Sequence, residues 1–363
     1  MKKALIVALM IGLLVPMVSA QQLIGGRGSG MGGTGVAASH DIEAAYYNPA
    51  CLMRDHNIGG ELKIAAGASY TDTGVLSNAL SKASDPAQFM LDNFNTNLTF
   101  NGAMSGIVGL NIRKVGISVV PIINTVNVNK PAGSLVGSVT ASGLVIPALT
   151  LGTTYTVPFL PAALDIGLNI KQYNPVYGNI VTAGTFTNVT GTQTTATGGS
   201  GMGYDLGLLT SFDVPYVTKL AVGLVMRDIA GSYTRKDTTQ KAYIDQGTSQ
   251  VTFDAAVILP DKNFTVDSST ALGAYATIPG IGLGVALDYE MTKTDSNTHI
   301  GLEYPMFLNR LILRAGTANG PNLAKTTIGA ELDLVFLKLA INSASDAKNS
   351  ALTNTYADIT IGF

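Results

Sequence analysis

The chain has 363 residues, of which 13% are charged, with 41 glycines, no tryptophan and a formal net charge of −2. A balance this close to neutral argues against a nucleic-acid partner, and a single cysteine, Cys51, excludes an internal disulfide framework. Apolar residues make up 46%, yet after residue 20 no apolar run is long enough for a membrane-spanning helix, so the hydrophobicity comes in short pieces.

Residues 1–20, MKKALIVALMIGLLVPMVSA, follow the order of a secretory signal: two lysines, an apolar run, then small residues at a cleavage site before Gln21. Behind it stands GGRGSGMGGTG, residues 25–35, in which Gly28 to Gly33 has G-x-G-x-x-G spacing and the acids Asp41 and Glu43 follow. A dinucleotide loop requires a strand before the glycines and a βαβ unit around them. Here the preceding segment is a leader, so no cofactor is expected. Residues 21–57 form a segment ahead of the first strand, and residues 58–363 form the body of the protein.

That body alternates apolar with small or polar residues: Leu62, Ile64, Ala66, Ala68; Leu164, Ile166, Leu168, Ile170; Leu220, Val222, Leu224, Met226; Ile281, Leu283, Val285, Leu287; and Leu337, Leu339, Ile341. Alternation alone fits a soluble sandwich or a transmembrane barrel. Three features favour the barrel. Short connections (113–114, 157–162, 213–217, 279–280, 305–308, 334–335) alternate with mostly longer ones (71–100, 128–139, 176–199, 231 to about 262, 344–352). Fourteen strands can be counted, beginning near residues 58, 101, 115, 141, 163, 202, 218, 266, 281, 297, 309, 324, 335 and 353. The last strand ends on an aromatic, Phe363, as an outer-membrane assembly signal does. The expected fold is all-β, an antiparallel transmembrane barrel of about fourteen strands with an N-terminal plug. Segment 249–259 is assigned to an outside loop, and 75–94 has helical character.

If Leu, Ile and Val mark the outer face, then Asp288, Glu290, His299, Glu303, Arg310, Arg314, Glu331, Asp333, Lys338 and Asp358 point inward. Register guessed from the turns sets Arg310 between Glu303 and Glu331, Arg314 beside His299, and Lys338 between Glu331 and Asp358. Alternating signs on adjacent strands suit a cross-strand network that stiffens the wall, with ion conduction or acid chemistry as the other readings. His40, His56 and His299 lack metal-ligand spacing, and no serine is placed to complete a triad with His299 and Glu290, so neither a metal nor catalysis is expected.

Strands three and four differ, being apolar on both faces. Val120 and Ile122 in one, and Leu144, Ile146 and Ala148 in the other, would face the lumen, either as a wall packed on the plug or as a ligand site. Pro121 and Pro147 interrupt the same two strands and fold to within a residue or two of each other, as tolerated bulges or as a weak point through which apolar ligands leave sideways.

The run GGRGSGMGGTGVAASHDIEAAYYNPACL, with Asn48-Pro49-Ala50 behind Tyr46 and Tyr47, resembles the start of the FadL-like outer-membrane proteins. The resemblance implies that this segment folds into the lumen as a hatch, that the barrel takes up hydrophobic molecules passively at the bacterial outer membrane, and that a kink in the third strand opens a lateral path. The partners it implies are outer-membrane lipids and hydrophobic small molecules. PorV-like and TraF-like relatives share the motif, and for them the implied task is to dock a secretion or conjugation partner. Cys51 departs from the glycine usual after Asn-Pro-Ala, which leaves a tight turn there open.

Overall fold

The computed structural model describes residues 23–54, 60–71, 95–133, 137–156, 158, 162–185, 188–214, 217–245, 250–348 and 353–362. The leader, segment 75–94, His56 and Phe363 lie outside the described residues. No described helix is long and apolar enough to cross a membrane; the crossing is made by strands.

The strands in chain order are β1 (Gly60–Tyr70), β2 (Leu98–Ile112), β3 (Val115–Lys130), β4 (Gly137–Thr156), β5 (Ala163–Thr185), β6 (Asn188–Gly198), β7 (Gly201–Val214), β8 (Val217–Asp245), β9 (Gln250–Phe253), β10 (Val257–Ile258), β11 (Lys262–Thr265), β12 (Ser269–Thr277), β13 (Gly284–Met291), β14 (Ser296–Met306), β15 (Leu311–Gly320), β16 (Leu323–Asp333), β17 (Leu337–Asp346) and β18 (Thr353–Gly362). Fourteen of them close a ring, β1 to β5, β7, β8 and β12 to β18, sealed where β1 pairs antiparallel with β18 from Glu61↔Gly362 to Tyr70↔Thr353. These are the fourteen strands read from the alternation.

The outer face carries a continuous apolar band. Exposed side chains lie opposite one another across successive strands, as in Ile359↔Ile64, Ile64↔Val108, Ile117↔Leu149, Leu168↔Leu206, Leu224↔Leu272 and Leu287↔Ile300. In water such a band would be a large aggregation-prone surface, whereas against lipid tails it costs nothing. The fold is a transmembrane β-barrel.

Two of the expected long loops are strands instead. Residues 176–185 and 188–198 continue β5 and form β6, and β8 runs 29 residues, its far half pairing with β6 on one edge and with β9, β10 and β11 on the other. The stretch is rich in threonine, asparagine and glutamine on both faces, so it shows no apolar period. β-branched threonine nonetheless suits a strand, and a sheet wetted on both faces needs no apolar side. Segment 249–259 contributes β9 and β10 to this extension and stays outside the ring.

Residues 23–54 fill the lumen, nearly all of them buried. A helical turn, Gly26–Gly30, packs on β15 to β18; a second turn, Ala44–Tyr47, touches β3 and β4; a 3-10 turn, Pro49–Arg54, packs on β4, β5 and β7. The plug therefore spans from one wall to the other.

Candidate functional site

The glycine-rich stretch does bind anions, and they are its own. The Glu43 carboxylate accepts the amides of Arg27 (3.2 Å) and Gly28 (3.0 Å), and Asp288 of the wall accepts those of Gly35 (2.7 Å) and Val36 (2.9 Å). Gly32 and Gly33 take φ of 70° and 87°, left-handed backbone in which a side chain would be strained. Asn48 donates from Nδ2 to Val36 O (2.7 Å) and Leu208 O (3.2 Å), while its Oδ1 accepts the Ala50 amide (3.1 Å). Pro49 and Ala50 lie directly against Gly167 and Gly207 of the wall, where a Cβ would collide with them. The turn at Cys51 forms without glycine, its amide bonding to Asn48 O at 2.9 Å. Burial pushes the Cys51 thiol up to about 12.

Hatch and wall are joined by ion pairs. On the β1 side, Lys63 meets Asp41 (2.5 Å), Glu43 (2.6 Å) and Asp358 (3.5 Å). Arg27 of the hatch pairs with Glu303, which Arg314 also holds at 3.4 Å while reaching Glu331 at 2.8 Å. Arg227 pairs with Glu290 (2.6 Å) and donates to Tyr47 O (2.8 Å). Lys171 lies 2.7 Å from both Asp205 and Asp228. Neutral bonds add to these: Asn169 to Ala45 O (2.7 Å), Asn342 to Gly26 O (2.9 Å), Thr327 to Gly30 O (2.9 Å), and His299 Nδ1 against Gly32 O (2.8 Å).

Among the inward residues read from the sequence, Asp288, Glu290, His299, Glu303, Arg314, Glu331 and Asp358 are buried inside the barrel. Arg310 is not. It sits in the turn Phe307–Arg310, half exposed, 4.0 Å from Asp333. The sequence spacing centres the turn on 305–308; moving its centre by two residues moves the cross-strand partner by four, so Arg314 stands opposite Glu303 in Arg310's place. His299 accordingly faces Asp288 and Ala318, and Arg314 lies further along the strand. Lys338 lies one step further toward the short-turn rim, opposite Asp333 and Thr360, and the position between Glu331 and Asp358 belongs to Ala340. The cation reaching Asp358 is Lys63. The inward set read from the sequence lacks Lys63, Lys171, Asp205 and Arg227. The alternation held the signal for all four, since they occupy the phase opposite the apolar positions in β1, β5, β7 and β8.

Over the hatch lies an apolar cluster. Val120 and Ile146 are buried with Ile107, Tyr173 and the hatch residues Ile24, Ile42 and Ala45, and Ile122, Leu144, Tyr46, Tyr233 and Val266 pack against them. Pro121 and Pro147 alternate with Val120 and Ile146 along their strands, Pro121 opposite Val145 and Pro147 opposite Val119. A third proline, Pro175 of β5, stands opposite Leu144. The ladders are irregular here: β3 bulges between Ile122 and Thr125, and β4–β5 pairing lapses between Val145↔Asn174 and Ala148↔Lys171.

A fourteen-stranded transmembrane barrel filled by an N-terminal hatch is the class these features define. Among solved structures the chain is similar to the Pseudomonas putida toluene transporter TodX (11% identity, TM-score 0.56, covering 96% of this chain and 98% of that one). It is also similar to the Ralstonia pickettii toluene transporter TbuX (13%, 0.53, 93% and 97%) and to the monoaromatic hydrocarbon channel CymD (11%, 0.53, 95% and 98%). These are FadL-family barrels, so the fold implied by the hatch sequence is the fold the chain has. No protein-family model and no curated protein matches the sequence.

Proposed function

We propose that this protein is a bacterial outer-membrane channel for the passive uptake of small, neutral hydrophobic compounds, which gather on the apolar cluster above the hatch and leave sideways through the wall at β3 and β4. The observation that carries the reading is the coincidence of that cluster with the prolines: Val120, Ile122, Leu144 and Ile146 stand at the same height as Pro121 and Pro147, beside which the β2–β3 pairing lapses between Val119 and Ile122 and the β4–β5 pairing between Val145 and Ala148. The similar barrels named above are described as toluene transporters and a monoaromatic hydrocarbon channel, which supports an apolar cargo. A neutral cargo is favoured over a fatty acid because the cations nearest the cluster are already matched, Lys171 by Asp205 and Asp228, Arg227 by Glu290, and Arg235 by Asp237 at 2.8 Å. A carboxylate arriving there would have to displace an internal one. The hatch remains in place during passage, held by Lys63 on Asp41 and Glu43, by Glu303 on Arg27 and by Arg227 on Tyr47 O.

The test is entry of labelled toluene and of labelled laurate into cells that make the chain, against cells with an empty vector. Toluene entry should rise several-fold and laurate entry should not. Pro121→Val with Pro147→Val should slow toluene. Entry equal to the empty vector for both compounds would overturn the channel reading.

A further inference from the structure

The wall has a second irregular place, on the side of β7 and β8. Between Leu206↔Met226 and Met202↔Ser232 the pairing shifts twice, so β8 spends six residues where β7 spends four. On its other edge β8 changes neighbour at the same height, from β12 ending at Ser269↔Arg227 to β11 beginning at Thr265↔Ser232, with a bond from the Val266 amide to Gly231 O (2.9 Å) between the two ladders. Residues 228–231 thus have no continuous ladder on either side, Ile229↔Tyr204 being their one paired position. Two of them, Asp228 and Ala230, adopt φ of 56° and 53° without being glycine, a conformation that costs about 1 kcal/mol or more per residue and persists only where neighbours impose it.

What lies on the two faces of this bulge gives it meaning. Inside stand Tyr173, Tyr233 and Val266, members of the apolar cluster. Outside, where β7 and β8 part, is a groove of about 540 Å³ bordered by Met202, Tyr204, Ala230, Ser232 and Thr265. Met202 and Tyr204 are exposed, in phase with Leu206 and the lipid-facing band. Tyr233 borders the groove as well as the cluster, so only this residue and the bulge lie between the two. Its fastening converges on one residue: the Asp228 carboxylate meets Lys171 Nζ (2.7 Å) and accepts the Tyr173 hydroxyl (2.6 Å), and the Asp228 amide donates to Asp205 Oδ1 (2.8 Å).

We propose that this bulge is a second side door, joining the apolar cluster to an outward groove that holds small neutral hydrophobic molecules, with Asp228 as its latch. The proposal rests on the reading of the barrel as a channel for apolar solutes. Opening needs no strand to leave the ring, because residues 228–231 give up few ladder bonds; release of the three contacts to Asp228 lets the strained segment relax outward. Mixed lining suits the groove to its place, with Met202 and the Tyr204 ring for an aromatic or aliphatic body and the hydroxyls of Ser232 and Thr265 at its polar edge.

Two staples in a Cys51→Ala background separate this door from the one at β3–β4. Met202→Cys with Ser232→Cys joins β7 to β8, and Pro121→Cys with Val145→Cys joins β3 to β4. Oxidising the first pair should lower labelled toluene entry at least threefold, with recovery on reduction, and Asp228→Asn should raise entry. Entry unchanged by the β7–β8 staple but lost with the β3–β4 staple would overturn the second door and leave the first intact. A readout that needs no transport covers the case in which the chain conducts nothing: bimane on Ser232→Cys in the purified protein should be quenched by bromobenzene more strongly than bimane on Leu313→Cys, an outward control site, and Ala230→Trp should remove the difference. Equal quenching at the two sites would overturn the groove as a ligand site.

Discussion

Arg314 reaches two carboxylates on neighbouring strands, Glu303 and Glu331, with its side chain almost wholly removed from solvent. Removing one partner of such a set leaves the others charged and unmatched, which costs about 3–5 kcal/mol, whereas removing the set together costs less. Arg314→Ala should therefore lower the temperature at which the barrel loses its compact gel mobility by more than the double change Arg314→Ala, Glu331→Gln does, because Glu303 keeps Arg27 in both. Equal losses would show that Glu331 does not depend on Arg314. Cys51 gives a second residue-scale outcome. With its thiol raised by burial it is protonated at neutral pH and closed to reagents, so maleimide should label it only after boiling, and labelling of the folded barrel would mean that the hatch opens. The inward phase of Glu303, Arg314 and Glu331 was legible because a period of two leaves no other choice once the apolar face is assigned. Which arginine met which glutamate was not. The turn between β14 and β15 places Phe307, Leu308 and Asn309 in succession at positive φ, a conformation that of the three only Asn309 favours.

At the scale of elements, prolines and bulges do opposite things to legibility. Pro121 and Pro147 announce themselves, and their relative position could be read from the loop between the strands. The bulge of β8 could not, since its glycine, Gly231, is not where the backbone turns left-handed; Asp228 and Ala230 are, and the segment is held from outside by Lys171, Tyr173 and Asp205. The same limit hid the extension of β5, β6 and β8, where the row Asn127↔Thr140↔Asn179↔Thr194↔Thr239 runs across the sheet on a face with no apolar member. Restoring donors in β3 and β4 tests how much the prolines weaken the wall. Each regained ladder bond contributes about 1 kcal/mol, so Pro121→Val with Pro147→Val should raise the midpoint of heat unfolding by a few degrees, read by loss of the folded gel band. A barrel made less stable by the pair would mean that the bulge, not the missing donors, sets the local geometry.

For the whole molecule the decisive relation is between hatch and ring. Many of the hatch's polar groups are satisfied by the wall: Gly26 and Ser29 by Asn342, Gly30 and Gly32 by Thr327, Ala45 by Asn169, Tyr47 by Arg227. Deleting residues 21–57 should leave a barrel that still inserts, because no ring strand is removed, but that passes small ions in a planar bilayer where the full chain does not. A deletion mutant with the full chain's conductance would show that something else closes the lumen. The same contacts bear on how the molecule comes to be. The segment's polar groups are completed only inside the ring, and Lys63 of the first strand and Asp358 of the last both close on its acids and glycines. The N-terminal segment is thus a brace laid across the seam where β1 meets β18, and a barrel that closes without it should come apart more easily at that seam.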